Sequence, residues 1–281
     1  MRTHVCSIII IFVCALTSEA SAQHAHSCGL TCDQRVPPPL GSTRPLDRSP
    51  SMTGDLRGVG GLEDGSVVDL LVLYTPAAAS VNGGHAGIES LILAGRDELN
   101  TAAANSLVGT TFRVAHMQEI AHNQSGGMGT QLAQLRVPDD GVLDEAHDLR
   151  DQHKADIVLL VVSAGDVCGI ANIGVGPGNT PTPENAFGVV AATCMTAPVS
   201  AFAHEVGHVM GLLHGYEENP CTNGGSRFAK GFQAPDESFM TVMGVGAAPR
   251  ELYFSNPAVD VGGQPAGVAV GEYHAAATPA G

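Results

Sequence analysis

Tryptophan is absent from this 281-residue chain, and aromatic residues make up only 4% of it. Basic residues are also scarce: 13 lysines and arginines stand against 28 aspartates and glutamates, which leaves a formal net charge of −15. Because an acidic surface repels phosphate backbones, nucleic acid is not expected as a partner. Apolar residues still reach 44%, which is enough for a sizeable core.

The sequence also lacks an apolar run long enough to cross a bilayer, which takes about 20 residues. Its longest run, Val5 to Leu16, follows the basic Arg2 and precedes the small residues Ala20-Ser21-Ala22. This arrangement is typical of an export signal with its cleavage site. Residues 1–22 are therefore predicted to be a signal peptide, and the mature protein is expected to be secreted or periplasmic, without a membrane span.

Seven cysteines fall to five once the predicted signal is removed. Export permits disulfides, and an odd number leaves at least one thiol free or paired between chains. The best candidate pair is Cys168 with Cys194, because these two cysteines bracket two adjacent predicted strands. The partners of Cys28, Cys32 and Cys221 stay open.

Apolar patterning predicts an α/β fold for residues 66–281. Continuous apolar runs at 67–74, 155–162 and 186–192 indicate strands buried on both faces. The other predicted elements are strands at 111–117 and 168–174 (the latter an edge strand), helices at 85–106, 142–154 and 199–211, a Gly-rich loop at 125–129, and an irregular chain after His214. This order of five strands and two helices, with a third helix after them, predicts an α/β sandwich with a mixed sheet, followed by an irregular C-terminal segment.

One run, from Ala203 to Gly215, reads HExxHxxGxxH without a gap. His204 and His208 are four residues apart and share one helix face, where both imidazoles can reach one zinc ion. Gly211 can adopt a positive φ, so the helix can stop there and let His214 turn back as the third ligand. Three protein ligands leave the fourth position to water, which indicates a catalytic zinc site.

Glu205 follows the first histidine and lies about 100° further round the helix. This position suits a general base for metal-assisted peptide hydrolysis rather than a metal ligand. A rival third ligand, Glu237, lies beside Pro235 and Asp236 and is not in a helical context. Calcium is a second candidate metal at Asp139, Asp140 and Asp144, but no complete 12-residue ligand pattern is present.

The zinc-binding run resembles that of the metzincin metalloproteases. The family also has a methionine turn beneath the metal, and the segment Phe239–Gly246 is similar to it, with Met243 as the turn residue. The resemblance implies a five-stranded upper subdomain and a small lower one. Phrases such as Cys168–Ala171 and Tyr253–Pro257 are similar to reprolysin-like bacterial proteases, in particular the peptidyl-Asp metalloendopeptidases.

The resemblance implies a secreted zinc endopeptidase whose extended peptide substrate adds as a strand to the edge near Gly169–Gly174. A cation would be needed to meet a substrate aspartate, and Arg250 is the nearest candidate. Val245 stands where some metzincins have a tyrosine ligand, so no fifth ligand is expected. The alternative function is a secreted adhesion or inhibitory module that keeps the fold without turnover.

Residues 23–65 are rich in proline, serine and glycine and show no hydrophobic period. They are predicted to be a flexible arm or a short pro-segment. A thiolate from Cys28 or Cys32 could occupy the open zinc position and keep the enzyme latent. A local or interchain disulfide is the alternative role for these cysteines.

Overall fold

The computed structural model describes residues 65–174, 183–215 and 229–268. Several predictions fall outside these residues: the signal peptide at 1–22, nearly all of the arm at 23–65, and the cysteines Cys28, Cys32 and Cys221.

The described residues form strands and α-helices that alternate along most of the chain. In order they are β1 (Val67–Tyr74), α1 (Pro76–Val81), α2 (His85–Asn105), β2 (Thr111–Glu119), α3 (Met128–Arg136), α4 (Glu145–His153), β3 (Ile157–Val162), β4 (Gly169–Ala171), β5 (Phe187–Ala191), α5 (Ala201–Val209), β6 (Asn256–Val261) and β7 (Gln264–Ala266).

Five strands form a mixed sheet, as the sequence predicted, and their order is β2-β1-β3-β5-β4. The pairs among β2, β1, β3 and β5 are parallel, whereas the edge strand β4 runs antiparallel to β5. All six residues of β3 are buried, because helices cover both faces of the sheet. Helices α2 and α5 pack on one face, and α3 and α4 pack on the other.

Two helices were not predicted. In α1, Thr75 caps the first turn by accepting a hydrogen bond from Ala78 N at 3.1 Å, and Pro76 occupies the first position, where its missing N–H costs nothing. The prediction of a Gly-rich loop at 125–129 was wrong at its C-terminal boundary, because α3 already begins at Met128. The Asp166 carboxylate accepts from Met128 N at 2.8 Å and so caps α3 from a distant loop, which sequence spacing does not reveal.

The chain after α5 contains little regular structure, but the prediction of a wholly irregular tail was wrong. Strands β6 and β7 form an antiparallel pair. A small apolar cluster forms around Ala234, Phe239 and Ala266. The remaining order comes from isolated bridges between single residue pairs: Leu213 with Lys230, Gln233 with Met240, and Met240 with Arg250.

The three aspartates considered for calcium have a different role in the structure. The Asp144 carboxylate accepts from the backbone N–H of Asp140 at 3.2 Å and of Gly141 at 3.0 Å, and Asp140 accepts from Val142 N at 2.8 Å. The carboxylates of Asp140 and Asp144 therefore accept hydrogen bonds from the backbone of the loop before α4. A calcium site at these aspartates is not supported. Within the described ranges, no helix combines the length and apolar character needed to cross a membrane.

Candidate metal centre and active site

Helix α5 carries the histidine motif and is nearly enclosed by protein. Phe202 and Val206 are fully buried in the core shared with α2. Gly207 lets the helix lie directly on Met243, since a Cβ there would come within 2.5 Å of the methionine sulfur. The helix is therefore held by packing on both sides, and this fixes the direction in which His204 and His208 leave it.

The helix ends two residues before the predicted end at 211, and the turn at Gly211 follows as expected. Val209 is its last residue, and Gly211 has a φ of +92°, a conformation that side chains with a Cβ rarely adopt. The N–H of Leu212 then donates to Gly207 O at 2.9 Å, which closes the turn. As a result the chain reverses and His214 points back towards the helix.

The three histidines converge on one point. Nε2 of His214 lies 3.0 Å from Nε2 of His204 and 3.0 Å from Nε2 of His208. His204 Nδ1 lies 2.7 Å from Val242 O, and His208 Nδ1 lies 2.8 Å from Leu212 O. A carbonyl only accepts, so both Nδ1 atoms carry the proton, and both Nε2 atoms present lone pairs to the same point.

This arrangement fits a metal ion of the zinc type. Metal–nitrogen bonds of about 2.0–2.1 Å would place tetrahedral ligand atoms about 3.3 Å apart, close to the spacing observed. Lone pairs that face one another repel unless a cation lies between them, and the carbonyls behind the rings fix the tautomer that metal binding needs. Among the described residues, His204, His208 and His214 are the one group of this kind.

The protonation state of His204 also suits a ligand. Burial holds the pKa of His204 well below its ordinary value, and the neighbouring His208 and His214 lower it further. The turn at Thr241–Gly244, closed by the 2.8 Å bond from Gly244 N to Thr241 O, presents the Val242 carbonyl to this ring. Met243 in this turn is 1% exposed, and its sulfur lies against Gly207 of α5.

Glu205 lies beside the histidines and is only 4% exposed. Its Oε2 is buried and has no hydrogen-bond partner among the described residues. Burial raises the pKa of this carboxyl to about 8, while the positive charge of Arg250 acts in the opposite direction. A carboxyl that takes up a proton near neutral pH is suited to accept one from water and release it again.

Arg250 approaches the site from beneath the methionine turn. Its Nη1 donates to Val242 O, the carbonyl that also accepts from His204, and lies 3.5 Å from Thr241 O. Its Nε is buried and unpartnered within the described ranges. Burial lowers the pKa of Arg250, but arginine keeps its charge in proteins, so a half-buried cation faces the region around Glu205.

Strand β4 borders the site and is fixed at its start. Cys168 and Cys194 form a disulfide with Cα atoms 5.4 Å apart, the pairing predicted from the sequence. Ala191 N donates to Cys168 O at 2.9 Å, and Asn172 N donates to Phe187 O at 3.1 Å. Because bonding alternates along a strand, the backbone groups of Gly169 and Ala171 face away from β5, towards the open edge of the sheet.

The structure thus brings together the residues singled out in the sequence: the three histidines, Glu205, Gly211, Met243 and Arg250. Sequence reasoning missed two backbone carbonyls, of Val242 and Leu212, because a backbone group leaves no signature in a sequence. It also missed the contacts of Gly169 and Gly207. A glycine within an apolar pattern indicates that another part of the chain approaches its backbone closely. It does not indicate which residue approaches.

Comparison with known proteins agrees with this site. Residues 96–215 match the reprolysin-like family of M12B metallopeptidases. The chain is 30% identical over 232 residues to a peptidyl-Asp metalloendopeptidase of Stenotrophomonas maltophilia, covering 80% of this chain and 54% of that protein. It is 32% identical over 206 residues to a peptidyl-Asp metalloendopeptidase of Xanthomonas campestris, covering 72% of this chain and 47% of that protein.

The chain therefore spans about half the length of these curated relatives. A solved structure described as a chaperone–substrate complex is similar in fold, with a TM-score of 0.56 and 23% identity over 72% of this chain and 31% of that one. At this identity the likeness concerns the fold alone.

Proposed function

This chain is homologous to the reprolysin-like M12B metallopeptidases and to bacterial peptidyl-Asp metalloendopeptidases, and on that basis we propose that it is a secreted zinc-dependent endopeptidase. The observation that carries the proposal is the convergence of three histidine Nε2 atoms, with a buried carboxyl beside them. An adhesion or inhibitory module would have no need for such a carboxyl.

We assign the metal to His204, His208 and His214, and the general base to Glu205. A zinc ion at this position supplies Lewis acidity, which polarises a peptide carbonyl and makes water more acidic. Glu205 takes the proton of the attacking water and later delivers it to the leaving amine. The Val242 and Leu212 carbonyls hold the rings of His204 and His208 in place during this cycle.

The open edge of β4 supports binding of an extended peptide. The backbone groups of Gly169 and Ala171 point away from β5, so a peptide strand can pair with them beside the histidines. Such pairing recognises the main chain of any extended peptide. Selectivity among protein or peptide substrates must then come from side-chain pockets.

Arg250 is the residue we assign to substrate selection. Within the described ranges Arg250 forms no ion pair with an aspartate or a glutamate, although it is half-buried. A buried cation is stabilised by an anion, and an aspartate side chain of a substrate would supply one. The names of the relatives, peptidyl-Asp metalloendopeptidases, agree with a preference for aspartate next to the cleaved bond.

The predicted boundaries complete the proposal. Residues 1–22 would direct export, 23–65 would be an arm or pro-segment, and 66–281 would form the catalytic domain. The disulfide Cys168–Cys194 agrees with an oxidising destination.

Metal analysis and an activity assay test the proposed reaction. We expect one zinc per chain, hydrolysis of casein, loss of activity with a chelator, and recovery on adding zinc. The Glu205→Ala variant should keep its zinc but lose roughly 10²- to 10⁴-fold in kcat, the usual contribution of a general base. A zinc-free protein, or a fully active Glu205→Ala variant, would contradict the assignment.

Matched peptides that differ only in Asp or Asn test Arg250. In the Arg250→Met variant we expect the kcat/KM ratio of the Asp peptide to the Asn peptide to fall about 10- to 100-fold, the worth of a hydrogen bond to a charged group. Arg136→Met, on the exposed end of α3, is the control. An unchanged ratio would remove Arg250 from substrate selection, even if overall activity fell.

A further inference from the structure

The edge strand β4 contacts helix α5 at Gly169, a residue that has no side chain. A Cβ atom built on Gly169 would lie 2.6 Å from Cγ and 2.7 Å from Cδ of Glu205, and closer still to Oε1. Real Cβ atoms essentially never approach other atoms within 3.0 Å. The Glu205 side chain therefore rests directly on the backbone of β4.

We propose that Gly169 is a positioning residue for catalysis: its missing side chain creates the space that holds the Glu205 carboxylate beside the three histidines. This inference rests on the proposed function, because it concerns the residue assigned as the general base. It adds a requirement on a residue outside the histidine motif, more than 30 positions before it in the chain.

Packing is what fixes this carboxylate. Glu205 Oε2 makes no hydrogen bond within the described ranges, and the residue is almost fully buried. A side chain without a hydrogen bond to orient it takes its position from the surfaces around it. On the side of β4 that surface is the backbone at Gly169, so adding one methyl group there changes the position of the carboxylate.

The strand is held too firmly to yield instead. Gly169 lies opposite Val190 in the antiparallel pair, and the preceding residue accepts the 2.9 Å bond from Ala191 N. That same residue, Cys168, is tied to Cys194 by the disulfide. Moving β4 by several tenths of an ångström would strain these links, whereas the unbonded Glu205 side chain can rotate.

The Gly169→Ala variant tests the proposal in the full-length, zinc-loaded protein. Displacing a catalytic group by about 1 Å costs about 10²-fold in rate, so kcat should fall between about 10- and 100-fold, with KM and zinc content nearly unchanged. Gly129→Ala on α3 is the matched control, because a Cβ there meets nothing within 4 Å. A rise in KM with unchanged kcat would show that residue 169 serves substrate pairing, and would overturn the proposal.

A second measurement does not depend on activity. Melting temperatures of the metal-free wild type, Gly169→Ala, Glu205→Ala and the double variant form a cycle that isolates the contact between the two residues. Gly169→Ala should lower Tm in the native background but not in the Glu205→Ala background, where the colliding atoms are gone. An equal effect in both backgrounds would overturn the proposal. If the wild type hydrolysed no peptide, the proposed function would fail, while this cycle would still test the contact.

Discussion

Two regions of the described chain meet at the histidines, and they are held together in different ways. From Val67 to Val209, the described residues form a five-stranded sheet that lies between two apolar layers. From residue 229 to 268, by contrast, the regular structure is a short hairpin and single bridges. Val242, Met243 and Phe254 of this region pack into the main core, and Ala234, Phe239 and Ala266 form a small apolar cluster of their own. The first region supplies His204, Glu205 and His208, and the second supplies Met243 and Arg250.

The difference indicates what each region needs in order to stay folded. The sheet region contains most of the buried apolar side chains of the described residues, so most of the hydrophobic stabilisation arises there. The downstream region relies on its attachments: Met243 against Gly207, the Val242 carbonyl on His204, and the bridge between Leu213 and Lys230. A bound metal should therefore stabilise the downstream region more than the sheet, since metal binding and local folding are linked.

The two regions should respond most differently to the variant His214→Ala. If the proposed ligand set is right, removing one of its three histidines removes the metal chemistry, which is worth several kcal/mol in the transition state. We therefore expect kcat/KM to fall by roughly 10³-fold or more. Hydrogen exchange in the presence of zinc should quicken at residues 229–268 while the amides of β3 stay protected.

The control for this variant is His85→Ala, which removes a largely exposed histidine at the start of α2. It should leave zinc binding, activity and the exchange pattern as in the wild type. If His214→Ala instead loosened β3 and the downstream region equally, the two regions would be one cooperative unit and the comparison would be wrong.

The same contrast explains how much of the fold could be predicted from the sequence. Strands β1, β3 and β5 are buried on both faces, so their continuous apolar runs identified them. Downstream, contacts join residues far apart in the chain, such as Ser106 and Phe254 at a separation of 148. No local period encodes such a contact, which is why the hairpin β6–β7 was missed.

The candidate site divides in the same manner. The histidines, Glu205 and Gly211 follow from helix geometry and the freedom of glycine, both of which are local properties. The bond from His204 to the Val242 carbonyl and the contact of Glu205 with Gly169 depend on where β4 and the methionine turn lie. Those positions are set by the sheet and its attachments, so only the folded chain reveals them.

The next largest effect concerns the free energy of unfolding of the metal-free protein. The Glu205 carboxyl has a pKa of about 8 in the folded state against 4.5 in its ordinary state, because burial disfavours the charge. Because the folded state holds this proton more tightly than the unfolded state, the protonated carboxyl contributes to the free energy of unfolding. That contribution is fully present below about pH 4.5 and is lost as pH rises through about 8. The shift corresponds to at most about 5 kcal/mol.

Glu205→Gln keeps the shape of the side chain but cannot ionise. In chelator, its unfolding free energy should match that of the wild type near pH 4.5, exceed it increasingly up to about pH 8 and keep a constant lead above that pH. Activity with zinc should be lost. Thermal or urea unfolding across this range measures the difference. A difference that does not change with pH would mean that burial of this charge does not limit the stability of the sheet region.

The smallest effect lies at the joint between the two regions, at the end of α2. The Ser106 hydroxyl accepts from Phe254 N at 2.6 Å and lies 2.7 Å from Ala102 O, to which it can donate. The neighbouring backbone oxygen of Ser106 accepts from the Asn256 side chain at 2.9 Å. Ser106→Ala leaves the buried Phe254 N–H without its partner, which costs about 1–3 kcal/mol.

The hydrogen bond from Phe254 N to the Ser106 hydroxyl joins the two regions, so Ser106→Ala should destabilise the protein mainly near that bond. We expect faster hydrogen exchange at residues 252–266, a small fall in Tm and little change in the amides of β3. Ser90→Ala is the control: this serine lies on the same helix and bonds to Ala86 O at 2.7 Å, but it is exposed and touches one region only. If Ser106→Ala and Ser90→Ala had equal effects, the joint would not be what secures the downstream region, and the metal-dependent link through His214 would have to carry that role alone.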